Sequence, residues 1–173
     1  MSTEAAAAFA MRLSAWRPPR DSVGLIALGQ AGFALLTGDD LVLIDPYLSP
    51  RPDRLADPVV DPRGLDRVSA VLATHEHGDH LDLPTWALIA EASPNARFVV
   101  PEPLVPLVAG AGIRGDRVAG ARIGTPIRIG AGQATAVPAR HAVQIEDGYT
   151  LGDHRHRAPR FVGYVLELDG VRI

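Results

Sequence analysis

Side chains that can bind a metal ion are concentrated in one six-residue segment of this sequence. Its candidate ligands, separated by Glu76 and Gly78, are His75, His77, Asp79 and His80. Imidazole nitrogens and carboxylate oxygens suit zinc and other borderline divalent metals. Alternate side chains of an extended backbone point to the same side, so His75 and His77 can bind one metal together. Beyond Gly78, where the chain can turn, Asp79 and His80 can be directed at a second metal.

The element that must position these ligands is the apolar run directly before them. Residues 68–74 predict a buried strand. A buried strand that ends abruptly in polar residues holds a binding loop on a rigid support. The other interpretation is a surface loop in which histidines are frequent by chance, because short motifs always give some false matches.

The spacing His75-x-His77-x-Asp79-His80 resembles the signature of the metallo-β-lactamase superfamily. Residues 28–33 (LGQAGF) and 43–48 (LIDPYL) resemble the branch that contains L-ascorbate-6-phosphate lactonase and many metal-dependent hydrolases. The resemblance extends from about residue 23 to residue 173. It implies an α+β fold, the αββα sandwich of two sheets with helices outside. This chain would supply the N-terminal half and part of the second sheet.

The resemblance also implies a ligand set. His75, His77 and His141 would hold the first metal and leave a coordination position open for water, as catalytic zinc sites do. Asp79 and His80 would hold part of a second metal, and Asp79 would also have a catalytic role by orienting the nucleophilic water. The metal-bound hydroxide would then hydrolyse a lactone or a phosphorylated sugar derivative. We expect up to two zinc ions per complete site, and manganese is an alternative because the ligands include no sulfur.

Three other polar features have two interpretations each. Asp45 is either a solvated turn residue before proline or, by resemblance, a carboxylate beneath the site that orients a ligand histidine. The proline-rich residues 49–65 either border the pocket, as in the resembling branch, or simply connect two elements. The segment that contains His154 and His156 is interpreted as a mobile charged loop. The alternative is that these histidines bind metal, or that the neighbouring arginines contact a substrate phosphate.

Composition narrows the class of protein. The chain has 173 residues, no cysteine and a net charge of −3 at pH 7. The sequence therefore predicts one domain at residues 23–173 after an N-terminal extension at 1–22, with no disulfides. We expect a small-molecule substrate, no nucleic-acid partner and no membrane association. The apolar residues 5–11 follow Glu4 rather than a basic residue, which is untypical of a secretory signal and favours a cytoplasmic protein.

Strands and helices alternate along the chain without a regular βαβ period. Helices are predicted at residues 83–92 and 103–111. Strands are predicted at residues 23–28, 33–37, 41–44, 68–74, 97–100, 118–120, 126–129, 133–138, 161–168 and 171–173. The first three strands should be antiparallel neighbours in one sheet.

In the family, later residues supply an aspartate that bridges both metals and one more histidine, but Ile173 is the last residue here. We therefore expect a truncated chain that binds at most one metal tightly and hydrolyses poorly. Its open sheet edge favours a homo-oligomer or a partner that supplies the missing C-terminal half. The alternatives are a phospholipase D-type or ribonuclease-type hydrolase, or a catalytically incompetent fragment. A flavodiiron-type oxidoreductase would require a carboxylate at the position of His77.

Overall fold

The computed structural model describes residues 3–52, 54–139, 141 and 160–173. Within these ranges the α-helices are α1 Thr3–Ala15, α2 Leu83–Ala92 and α3 Val105–Ala109. Single turns of 3₁₀ helix lie at Pro62–Gly64, Glu102–Leu104 and Gly115–Arg117. The strands are β1 Gly24–Gly29, β2 Gly32–Leu36, β3 Leu41–Ile44, β4 Val68–Leu72, β5 Arg97–Pro101, β6 Val118–Ala121, β7 Pro126–Ile129, β8 Gly132–Pro138, β9 Val162–Leu168 and β10 Val171–Arg172.

The first sheet contains six strands in the order β1-β2-β3-β4-β5-β6. Strands β1 to β3 pair antiparallel, which confirms the predicted opening of the sheet. Strands β3 to β6 pair in parallel, and α2 connects β4 to β5. The prediction that no regular βαβ period exists agrees with this order, because β4-α2-β5 is flanked by connections that contain only short helices.

The second sheet contains four antiparallel strands in the order β10-β9-β8-β7. It packs on one face of the first sheet, and α1, α2 and α3 cover the other face. The central strands contribute to both cores. Their side chains in the core between the sheets include Val42, Leu72 and Val99. Those in the core beneath the helices include Leu43, Val71 and Phe98. Burial on both faces explains why parallel strands appear as continuous apolar runs in the sequence.

The first predicted helix, at residues 83–92, coincides with α2, whereas the second differs. Residues 103–111 form the end of a 3₁₀ turn followed by the short helix α3. Pro106 lies in the first turn of α3, where its missing N–H group needs no partner. A single helix through this position would lose a hydrogen bond to the preceding turn, so the chain starts a new helix there.

Residues outside the regular strands also belong to the core. Ala10 and Leu13 of α1 pack beneath the first sheet with Val60 and Leu65 of the proline-rich connection. The boundary predicted between residues 22 and 23 stays a prediction, although α1 packs against the domain. No helix in the described ranges has both the length and the apolar character needed to cross a bilayer.

Candidate metal centre

The site begins where two neighbouring parallel strands end. Ile44 of β3 pairs with Leu72 of β4, so the residues after both strands meet at one sheet edge. The backbone N–H of Asp45 still donates to the Leu72 carbonyl at 2.9 Å. Asp45 has a φ of +47° and is only 3 % exposed. A left-handed backbone is uncommon for a residue other than glycine and often accompanies functional sites.

The Asp45 carboxylate connects the two strand ends. Its Oδ1 accepts from the backbone N–H of Thr74 at 2.8 Å, and its Oδ2 accepts from the Thr74 hydroxyl at 2.8 Å. Oδ2 also lies 2.8 Å from Nδ1 of His80. The contact with His80 is the orienting role that the family resemblance implies for Asp45, and the solvated-turn interpretation is excluded by burial.

These contacts determine which ring nitrogen of His75 and of His80 is available to bind a metal. Because the Thr74 hydroxyl gives its proton to Asp45, its oxygen can accept from Nδ1–H of His75, 2.9 Å away. His80 likewise donates Nδ1–H to Asp45. Nε2 of each ring then keeps its lone pair, as in metal sites where a hydrogen bond fixes the ligand tautomer. The sequence analysis did not identify Thr74; its position between strand and motif was the available signal.

His75, His77 and His141 lie together in the structure. Their ring centroids form a nearly equilateral triangle, with separations of 4.8 Å for His75–His77, 4.6 Å for His75–His141 and 4.8 Å for His77–His141. One ligand atom from each lies within 4.8 Å of the other two. Nε2 of His75 and Nδ1 of His77 are 3.1 Å apart. Nitrogen ligands at about 2.0–2.1 Å from tetrahedral zinc are about 3.3 Å apart, so the donors fit such an ion.

The environment of His75 also suits a ligand, because a ligand imidazole must be neutral. Burial, followed by the neighbouring charges of His80, His141 and His77, lowers the pKa of His75 from 6.5 to about 4, while Asp45 opposes this shift. His75 is therefore neutral at pH 7 in the metal-free protein.

Asp79 and His80 lie beside this triangle. Oδ2 of Asp79 is 3.8 Å from Nε2 of His80, and the His80 ring centroid is 4.0 Å from that of His75. Burial lowers the pKa of His80, but the hydrogen bond and charge of Asp45, with the charge of Asp79, outweigh it and raise the pKa. The second-metal role of this pair, and the catalytic role of Asp79, stay predictions.

The second sheet holds the backbone of residues 73 and 74, directly before the motif, through two hydrogen bonds. The backbone N–H of Val162 donates to the Thr74 carbonyl at 2.9 Å, and the Tyr164 hydroxyl donates to the Ala73 carbonyl at 2.9 Å. Burial, with a smaller effect of Asp45, raises the pKa of Tyr164, so the phenol remains a donor. Phe161 lies beside His141, with ring centroids 6.2 Å apart. Strand β9 thus fixes the backbone from which the motif leaves β4.

Asp82 attaches the proline-rich connection to the motif. The residue is 2 % exposed. Its Oδ2 accepts from the backbone N–H groups of Leu48 and Ser49 at 3.1 and 2.8 Å, and its Oδ1 accepts from the Ser49 hydroxyl at 2.6 Å. The Thr85 hydroxyl donates to Oδ2 at 2.6 Å. Asp82 was not predicted as a site residue, although an aspartate two residues before a helix-starting proline is a helix N-terminal signal.

A cavity of about 510 Å³ opens beside Asp79. Gln30, Tyr47, Arg54 and Asp57 line it, together with apolar side chains. The Arg54 guanidinium lies over the Tyr47 ring, 4.3 Å from its centroid, and donates to the Tyr47 carbonyl at 3.0 Å. Residues of the 49–65 connection therefore border a pocket at the site, which is the first of the two interpretations given for them. His154 and His156 lie outside the described residues.

Comparison with known proteins shows which proteins this chain is similar to. Residues 41–173 match the model of the beta-lactamase superfamily domain family. A UPF0173 metal-dependent hydrolase from Pyrococcus furiosus is 34% identical over 148 residues, which cover 84% of this chain and 57% of that protein. A probable L-ascorbate-6-phosphate lactonase from Salmonella heidelberg is 32% identical over 72 residues, 41% of this chain and 20% of that protein.

Solved structures show the same fold at lower sequence identity. The metallo hydrolase Igni18 from Ignicoccus hospitalis has a TM-score of 0.55 and 22% identity, with 87% of this chain and 58% of that chain covered. The diiron β-hydroxylase CmlA from Streptomyces venezuelae has a TM-score of 0.60 and 21% identity, with 86% and 28% covered.

The chain spans about half the length of the curated relatives that it matches most fully. The family match nevertheless covers residues 41–173, which contain the parallel strands, the motif and His141. The two-sheet architecture agrees with this match. The chain therefore belongs to the metallo-β-lactamase superfamily.

Proposed function

We propose that this chain carries the metal-binding part of a hydrolase that acts on a lactone or a phosphorylated sugar derivative. The observation that supports it most is the triangle of His75, His77 and His141, with the tautomer of His75 fixed by Thr74. Two curated relatives, 39% and 34% identical over the matched residues, are named metal-dependent hydrolases. Hydrolysis is therefore the activity that the donor set and the relatives favour together.

The residues would divide the work as follows. His75, His77 and His141 would hold the first metal, and Asp79 with Nε2 of His80 would contribute to a second. A bound divalent metal supplies Lewis acidity, which activates water near neutral pH and polarises the scissile bond. Asp79 would accept a hydrogen bond from the attacking water and orient it. Asp45 and Thr74 would keep both ring nitrogens directed inward throughout the reaction.

Zinc is the metal that we propose, with manganese as the second choice. The set of imidazoles and one carboxylate, without sulfur, is compatible with either. A diiron oxidoreductase is the competing class, since one structural neighbour is a diiron β-hydroxylase. His77 favours the hydrolase, because a flavodiiron-type site would require a carboxylate at that position.

The proposed partner is a small molecule, and neither nucleic acid nor a membrane is expected. The cavity at Asp79 has a size typical of small-ligand pockets. Ribonuclease-type and phospholipase D-type activities are the alternative hydrolases. Self-association, or a partner that completes the second metal site, would raise the activity of the 173-residue chain.

The test combines metal analysis with a substrate panel. The chain is stripped with chelator, reloaded with zinc, manganese or iron(II), and assayed on lactones, phosphomonoesters, RNA and phospholipid. We expect about one tightly bound zinc and slow lactone or phosphoester hydrolysis, lost in His77→Ala and Asp79→Ala. The control Asp116→Ala removes an exposed carboxylate that pairs with Arg114 and should change neither result. Activity that requires iron and oxygen, or that survives in both site variants, would refute the proposal.

A further inference from the structure

We propose that Arg51 forms an anion-binding subsite beside the metal centre and recognises an oxyanion, phosphate or carboxylate, on the substrate. The inference rests on the proposed function, because it assigns a substrate class to the same site. It makes Arg51 a specificity-determining residue and leaves the hydrolytic step to the histidines and Asp79.

The position of Arg51 is the first observation. A Cβ atom added to Gly78 would lie 3.6 Å from Nη2 of Arg51, which is the single described atom within 4 Å of that position outside the neighbouring residues. Gly78 separates the candidate ligands His77 and Asp79. The guanidinium therefore lies directly against the motif loop. Gly78 has no side chain to occupy the space beside this guanidinium.

The charge environment of Arg51 is the second observation. Within the described part of the chain, no carboxylate lies within ion-pair distance of its guanidinium, and no protein group accepts a hydrogen bond from it. Two neighbouring charged groups are already engaged elsewhere. Glu76 forms an ion pair with Arg160, and Arg54 donates to the carbonyls of Tyr47 and Ala56. Arg51 thus keeps its donors for a ligand.

Electrostatics gives the reason why such a ligand should be an anion. A guanidinium beside one or two divalent cations is repelled by them. An oxyanion placed between them changes this repulsion into attraction to both sides, and the planar guanidinium can bind it with two parallel hydrogen bonds. A neutral substrate would leave the repulsion in place. The arrangement therefore favours an anionic substrate over an uncharged one with the same scissile bond.

The backbone around Arg51 is held before any ligand arrives. Asp82 fixes Ser49 through its backbone and hydroxyl, two residues before Arg51. Pro50 and Pro52 restrict the backbone on both sides. The N–H of Arg54 donates to the Arg51 carbonyl at 3.3 Å, which closes a turn. Less conformational freedom is then lost when an anion binds, and binding is correspondingly stronger.

The cavity beside Asp79 indicates the size of the ligand. Its volume of about 510 Å³ lies within the range of about 300–1,000 Å³ that is usual for small-molecule pockets. Tyr47 offers an aromatic face and Gln30 an amide for the uncharged part of the substrate. The cavity lining also includes the carboxylates of Asp57 and Asp79 and does not include Arg51, so the cavity bears only on the size of the uncharged part of the substrate.

The first test measures anion binding without turnover. Inorganic phosphate is titrated calorimetrically into the zinc-loaded 173-residue chain, and into its Arg51→Ala, Arg51→Lys and Arg97→Ala variants. We expect Arg51→Ala to raise the dissociation constant about 10- to 100-fold, the usual effect of a hydrogen bond to a charged group. Arg51→Lys should give an intermediate value. Arg97→Ala, which removes an exposed arginine at the start of β5, should leave it unchanged. A dissociation constant for Arg51→Ala within twofold of the unmodified chain would overturn the subsite.

The second test separates the subsite from the proposed function. The hydrolysis of glucono-δ-lactone is compared with that of its 6-phosphate, which has the same scissile bond. Arg51→Ala should lower kcat/KM about 10-fold or more for the phosphorylated lactone, mainly through KM, and little for the neutral one. Equal losses on both lactones would overturn the subsite while hydrolysis stands. Failure of every variant to hydrolyse either lactone, with Arg51-dependent phosphate binding intact, would refute lactone hydrolysis and support the subsite.

Discussion

The two ends of the central parallel strands use polar side chains in opposite ways. At the start of β4 and β5, the Ser93 hydroxyl accepts from the Val68 N–H at 2.8 Å and donates to the Leu65 carbonyl at 2.7 Å. Arg117 donates to the carbonyls of residues 90, 93 and 96 at the end of α2. Ser93 and Arg117 thus satisfy backbone groups and stabilise the fold.

At the other end of the same strands, side chains bind mainly one another. Asp45, Thr74, His75 and His80 form one hydrogen-bonded group, and His77 and His141 lie against it. The hydrogen bonds use Nδ1 of His75 and His80 and leave Nε2 of both directed inward. The difference shows how one scaffold separates stability from chemistry, because the side chains that hold the backbone and the side chains that could hold a metal lie at opposite strand ends.

The largest effect is expected from Asp45→Ala, which should lower both the stability of the fold and the affinity for zinc. The change removes the acceptor for Thr74 and His80 and leaves the part-buried Thr74 N–H without its side-chain partner. We predict a loss of about 3 kcal/mol in the free energy of unfolding. Zinc affinity should fall about 10- to 100-fold.

Urea unfolding and competition with a zinc chelator measure the two effects of Asp45→Ala. Asp45→Asn keeps the volume and one acceptor, so it should retain more stability than Asp45→Ala while still weakening zinc binding. Unchanged zinc affinity in both variants would show that Asp45 only stabilises the fold, and the two strand ends would then not differ in kind.

Ser93→Ala should affect stability alone. Two buried backbone groups, the Val68 N–H and the Leu65 carbonyl, lose their partner, so we predict a loss of about 2 kcal/mol in the free energy of unfolding. Zinc affinity should stay within twofold of the unmodified chain, because Ser93 lies at the opposite end of the strands. Reduced zinc binding by a chain that is still fully folded would show that the two ends are coupled.

A smaller effect is expected from pH in the chelator-treated chain. The pKa of His75 is lowered to about 4 from 6.5, so between these values the unfolded state binds a proton that the folded state excludes. Stability should therefore fall as the pH falls from 6.5 to 4. The pKa of His80 is raised, so its contribution is complete below pH 6.5 and is lost as the pH rises through its folded value.

Urea unfolding at pH 4.5, 6.5 and 8 tests these signs. His75→Gln should reduce the loss on the acidic side, and His80→Gln should reduce the loss on the alkaline side. If the free energy of unfolding of His75→Gln falls with pH as steeply as that of the unmodified chain below pH 6.5, His75 is not the group responsible for the acidic loss.

The sequence predicts those parts of the molecule whose signals are local. Strand β3 and helix α2 have the predicted bounds because an apolar run and a proline-started helix each carry their own pattern. The motif places the four candidate ligands of residues 75–80 on a loop after β4. The orienting contact of Asp45 with His80 was available only through family resemblance, since the two residues are 35 positions apart.

The contacts that the sequence could not predict depend on tertiary proximity. Tyr164 supports Ala73 across 91 positions, and Asp82 holds Ser49 across 33. A tyrosine in a strand and an aspartate before a helix have ordinary local roles, so nothing in their neighbourhood indicates a contact with another sheet or loop. The parallel pairing of β3 to β6 was missed for the same reason, because pairing direction depends on how the connections fold.

The central claim is that His75, His77 and His141 form one metal site, and zinc stoichiometry in matched histidine variants tests it most directly. The chain is dialysed against zinc and then metal-free buffer, and bound zinc is measured by elemental analysis. About one tightly bound ion per chain is expected in the unmodified protein and in the control Asp116→Ala, and well below half in His75→Ala, His77→Ala and His141→Ala. His141→Ala that retains the zinc of the unmodified chain would show that the three imidazoles do not act as one site.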